Sequence, residues 1–157
     1  MKISVNDLKE TVMTIVENYP EQVWQCNMNL LGTHDTPRLL TALVDDFDGS
    51  REEKAKRHLS RGQKEIAYQR LMMASFIQYM LPGSPSLYYG DEAGMEGGKD
   101  PFNRRTYPWG RENRELLTHH RLLGRLRKEQ DCEAVCCHRS MICQRSIPDF
   151  RSQACPA

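Results

Sequence analysis

Three polar clusters hold the residue types that acid–base and binding chemistry uses. His34, Asp35 and Arg38 lie together in Thr33-His34-Asp35-Thr36-Pro37-Arg38, Asp91-Glu92 sets two carboxylates side by side, and Asp100 stands four residues before Arg104. Carboxylates placed near a reacting bond can donate or accept a proton or offset developing positive charge. Each cluster also has a structural reading. A His-Asp pair after a strand is a common turn or cap, adjacent carboxylates often cap the next element, and Asp100 with Arg104 makes a salt bridge that pins a loop.

The elements that must carry these clusters alternate. Ser4-Val5-Asn6-Asp7 fits a capping box, Leu8, Val12, Ile15 and Val16 form one helical stripe, and Tyr19-Pro20 ends it. Val23–Leu31 is β-compatible and closes on Gly32, so His34 and Asp35 fall in a loop just past a strand. Leu39–Leu43 suits a short helix. Asp45–Gly62 is charged and punctuated by glycine, which predicts a solvated loop with at most a helical turn. Gln63–Leu81 is the clearest helix, stopped by Pro82-Gly83-Ser84-Pro85, and Ser86–Tyr89 is a short strand running into Gly90-Asp91-Glu92. A Gly-rich loop then holds Asp100, Arg104 and Arg105, and Glu112–Gln130 is a last helix. The order is that of an α/β protein with parallel strands, and the first two polar clusters sit just after strands, where such sheets place their chemistry.

Composition narrows the partners. In 157 residues, 22 Lys+Arg stand against 21 Asp+Glu, so there is no basic footprint for nucleic acid. The longest apolar run, Leu71–Leu81, is broken by Ser75 and Gln78 and is too short for a membrane span. The first residues lack the apolar stretch of a signal peptide, which predicts a soluble chain without an export signal if Met1 is the true start, and a cytoplasmic location is the expectation once the family resemblance below is added. Of six cysteines only Cys26 precedes residue 130, an uneven spread for a disulfide framework.

Asn29–Arg38 resembles the fourth conserved stretch of the α-amylase superfamily, glycoside hydrolase family 13. Leu81–Met95 is similar to that family's passage through its last barrel helix exit and strand. Asp100-Pro101-Phe102-Asn103-Arg104-Arg105, followed by Tyr107-Pro108-Trp109, resembles the neopullulanase, cyclomaltodextrinase and maltogenic amylase branch. The resemblance covers about residues 1–130 and implies the C-terminal portion, about strands 7 and 8 with flanking helices, of a (β/α)8 TIM barrel. It implies roles too. Asp35 is the transition-state-stabilising carboxylate, His34 binds substrate hydroxyls, and Asp100, Arg104 and Arg38 contact the glucan. Tyr107 and Trp109 either stack on sugar faces or pack the loop. No metal or cofactor is expected, and the partner is an α-glucan oligosaccharide.

Retaining enzymes of this kind place a nucleophilic carboxylate and a protonated acid about 5 Å apart across the bond. The resemblance puts those two groups on strands outside the matched stretch. The polypeptide alone is therefore expected to be an inactive fragment of an α-glucan glycosidase, or else a non-catalytic sugar-contacting or barrel-complementing product. Its open strand edges favour association. Residues 131–157 lack periodicity and read as an irregular Cys-rich tail. A zinc site of His138 with three cysteines is the alternative, but no Cys-x-x-Cys pair has a matching second half.

Overall fold

The computed structural model describes residues 4–44 and 49–145, with residues 51, 54, 55 and 130–145 described by backbone alone. Two strands, β1 (Met28–Leu30) and β2 (Ser84–Ser86), pair in parallel with Asn29 opposite Pro85. Parallel strands need a long crossover. Here it is α3 (Leu39–Ala42), α4 (Arg51–Lys56) and α5 (Arg61–Met80). Before β1 come α1 (Val5–Asn18) and α2 (Glu21–Cys26), and after β2 comes α6 (Arg114–Arg145).

Local chemistry sets most helix starts. Ser4, Ser50 and Ser60 each accept from the amide three residues on, and Asp7, Glu53 and Gln63 reach back to the capping residue's own amide. These reciprocal bonds hold the Asp7 and Glu53 carboxyls below the usual range. Asn113 caps α6 through the amides of Glu115 and Leu116. The turn expected within 45–62 is thus a capped helix, α4, while residues 45–48 lie outside the described residues.

Two boundaries differ from the sequence expectation. Val23–Cys26 is the end of α2 rather than strand: Pro20 sets φ at the helix start, Glu21 suits the first turn, and Gln25 donates to Glu21 at 2.6 Å. The second strand is Ser84–Ser86, not Ser86–Tyr89. Pro85 is tolerated because β2 pairs on one side among the described residues. Helix α6 continues through residues 131–145. Apolar periodicity is absent there, but no Gly or Pro occurs between Gly124 and Pro148 to stop the helix. The rest of the tail lies outside the described residues, as do the side chains of His138 and its neighbouring cysteines.

Helix α5 is the strut of the fold. Ala67 and Leu71 join Leu40, Leu59 and Leu116 in the core, so one helix clamps α3 and α6. Near its end the buried Gln78 donates to Asn29 O at 2.6 Å and Ser86 O at 2.9 Å, one carbonyl from each strand. Arg127 of α6 closes the helix exit by donating to the carbonyls of Tyr79, Leu81 and Gly83. Gly83 makes the sharp turn into β2 at φ +103°, and a Cβ there would lie 2.6 Å from Asn27 O. Backbone cannot yield as a side-chain tip can. Gly83→Ala is therefore expected to lower stability by at least about 1–3 kcal/mol. An unchanged urea midpoint would show that the turn relaxes freely.

The opposite faces are open. Helix α1 has no buried residue, and Met28 and Leu30 of β1 are 65% and 50% exposed. Among the described residues no helix is long and apolar enough to cross a membrane.

Candidate active site

The loops leaving the C-terminal ends of β1 and β2 meet and are joined by named bonds. Arg38 N donates to Gly97 O at 3.0 Å, Gly97 N to Thr41 Oγ1 at 2.9 Å, and Asn103 Nδ2 to the carbonyls of His34 and Thr36. The first polar cluster and the third, separate in sequence, thus become one surface.

Arg104 is its hub. Its Nε lies 2.8 Å from Asp100 Oδ1 and donates to His34 O at 3.1 Å, and its Nη2 is 3.5 Å from Asp35 Oδ1. His34 Nε2 lies 3.3 Å from Asp35 Oδ2. The His34 and Asp35 side chains are 64% and 72% exposed, so an acceptor- and donor-rich ligand can reach both. The salt bridge that pins the loop is present, and the surface it belongs to is open to solvent. Ion pairs this exposed contribute little to stability, which leaves these groups available for a ligand.

Arg38 is placed differently from the sugar contact expected of it. Its side chain is fully buried, 3.5 Å from Asp91 Oδ1, donates to Tyr89 O, and lies 4.3 and 4.4 Å from the ring centres of Tyr88 and Tyr89. A group closed to solvent in this way supports the rim from beneath, through Asp91 and the tyrosines. Asp91, 2% exposed, is accordingly structural. Burial pushes its carboxyl up to about 6 against the attraction of Arg38, with Glu92 adding to the rise.

The outer part of the second loop has its own anchor. Glu96 accepts from Leu59 N at 2.9 Å and lies 2.8 Å from His58 Nδ1 and 3.2 Å from Lys64 Nζ. Burial raises its carboxyl, but those three partners outweigh burial and hold it below the usual range. Trp109 is 81% exposed with its ring 4.5 Å from that of Tyr107, so it does not pack the loop core. Among the described residues no three His, Cys, Asp or Glu side chains group as metal ligands.

Asn103, Glu96 and the Arg38–Asp91 pair were not legible as a unit in the sequence. Their partners lie 32 to 69 residues away along the chain, and no local spacing marks them.

The profile of the alpha-amylase catalytic domain matches residues 1–136. The chain belongs to the alpha-amylase family. It is 45% identical over 127 residues to an amylopullulanase of Thermoanaerobacter thermohydrosulfuricus, covering 81% of this chain and 8% of that protein. It is 34% identical over 129 residues to a cyclomaltodextrinase of Geobacillus thermopakistaniensis, covering 81% of this chain and 18% of that one. The chain thus spans less than a fifth of either relative. Among solved structures, the type III pullulan hydrolase from Thermococcus kodakarensis superposes with a TM-score of 0.64 at 30% identity, covering 81% of this chain and 21% of that one. An acarbose-soaked debranching enzyme of Nostoc punctiforme superposes at 0.60 and 25% identity, covering 82% and 22%. This alpha-amylase family chain is therefore similar to α-glucan hydrolases, and the resemblance to that family and to its neopullulanase, cyclomaltodextrinase and maltogenic amylase branch is borne out.

Proposed function

We propose that this chain is the C-terminal part of the catalytic barrel of a retaining α-glucan hydrolase, with β1 and β2 as its seventh and eighth strands. What supports the reading is the joining of His34, Asp35, Asp100 and Arg104 into one exposed surface at the C-terminal ends of two parallel strands. Hydroxyl-rich rings suit that surface: Asp35 accepts from hydroxyls, His34 can donate or accept, and Arg104 donates. As positive charge develops on a sugar ring, bonds accepted by Asp35 strengthen and lower the barrier. Asp100 and Arg104 hold sugar units further from the cut. The bond cleaved is an α-1,4 link, an α-1,6 link, or both, in maltodextrin, cyclodextrin or pullulan.

Neither the nucleophile nor the acid is assigned to these 157 residues. The polypeptide alone is accordingly expected to release no glucose or maltose from maltodextrin. Release by the purified chain that disappears on Asp35→Asn would overturn this. The sugar contact is tested separately: maltotriose should shift the NMR signals of His34, Asp35 and Arg104. Absence of any shift at millimolar sugar would sink the assignment of this surface.

The second reading, a barrel-complementing product, is favoured by the exposure of Met28, Leu30 and Leu31 beside open strand edges. Under it the chain associates through those edges and binds sugar without cleaving it.

A further inference from the structure

We propose that Asn103 is a positioning residue that fixes the direction of Asp35 by bridging the carbonyls of His34 and Thr36. The ligand it serves rests on the α-glucan reading above. Asn103 is fully buried, and its Nδ2 donates at 2.6 Å to His34 O and at 2.7 Å to Thr36 O. The His34 carbonyl lies in the peptide plane entering Asp35 and the Thr36 carbonyl in the plane leaving Thr36, so holding both brackets the Asp35–Thr36 segment and narrows the directions in which the Asp35 side chain can leave the backbone.

Among the described residues no other buried side chain does this. Within the turn, Thr33 N donates to Thr36 Oγ1 and Asp35 N to Thr33 Oγ1, but both bonds are exposed and water competes for them. The partners of the Asp35 carboxylate, His34 and Arg104, are exposed as well. The amide orientation is also determined. Turning it over would set Oδ1 against two carbonyl oxygens, whereas the observed orientation leaves Oδ1 without a partner. Because Asn103 precedes Arg104, the same short segment sets Asp35 from below and meets it from the side. The turn after β1 and the loop after β2 are therefore tied together at Asn103 and Arg104.

Asn103→Asp keeps the volume and replaces the two donors with acceptors. A carboxylate there faces two carbonyl oxygens in a buried site, which raises its proton affinity. Protonated, it regains one donor. The measurement is amide exchange and NMR shifts at Asp35, Thr36 and Arg38 of the full chain, with the amide of Leu71 in α5 as a control for the fold. At about pH 7.5 the variant should exchange about tenfold faster or more than wild type at the three turn amides, with Leu71 unchanged. At about pH 4.5 the difference should shrink. Arg38, Asp91, His34, Asp35, Asp100 and Arg104 are the charged and ionisable groups around the turn in both proteins, so variant and wild type are compared at each pH.

Asn103→Ser, which keeps one donor, should fall between the two. Wild-type exchange at the turn in the Asn103→Asp variant would overturn the proposal, and so would an equal acceleration at Leu71, which would make Asn103 a packing residue only. Neither outcome involves sugar. A failure of the α-glucan reading, seen with maltotriose, is thus separate from a failure of this one.

Discussion

Arg38→Met is expected to lower stability toward urea by about 3–5 kcal/mol at about pH 8, and by much less at about pH 4. The variant leaves the Asp91 carboxylate, 2% exposed, without the guanidinium 3.5 Å away. A buried charge whose partner is removed keeps its desolvation penalty and loses the compensation. The sign follows from proton binding. Asp91 in the fold is raised from 3.8 to about 6, so the folded state holds this proton more tightly than the unfolded chain does. Its contribution is complete below about pH 4 and is lost as the pH rises through about 6. Without Arg38, ionisation inside the fold becomes costlier still, so the deficit grows over the same window. Denaturation curves at the two pH values check this. Equal deficits at both would mean that Arg38 acts through its contact with the Tyr88 and Tyr89 rings, which does not titrate there.

Leu71→Ala is the second large effect, expected at about 2–5 kcal/mol and independent of pH between about 5 and 8. Leu71 has no exposed surface and packs in the cluster with Leu40, Leu59, Ala67 and Leu116. Those residues come from three helices and the segment before α5, so no single neighbour can move to fill the cavity. The same variant should weaken the clamp of Gln78 on both strands, because α5 carries both residues. A loss below about 1 kcal/mol would indicate that the core collapses around the gap, and that α5 is held mainly by its polar bridges.

Where the cause is local, the sequence signals and the structure agree. Ser4 with Asp7 formed the capping box its spacing implies, and the helix expected over Gln63–Leu81 runs from Arg61 to Met80. The two differ where two local signals compete. Val23 and Trp24 favour a strand, yet Pro20 and Glu21 begin a helix there. Arg38 shows the remaining limit. A guanidinium beside His34 and Asp35 reads as a binding group by type and place, and only the approach of Asp91, Tyr88 and Tyr89 turns it inward.

By itself the sequence determined the family, the alternation of helices and parallel strands, and the polar loops after those strands. Residue type, order and capping geometry act over a few positions and need no tertiary contact. Only the tertiary structure decided that His34 and Asp35 share one surface with Asp100 and Arg104. It also decided that Arg38 pairs with Asp91 below that surface, and that Asn103 holds the turn. Those pairings join residues about 50 to 70 apart in the chain. Their distances are set by how α5 packs between the strands and α6, a choice that no local propensity encodes.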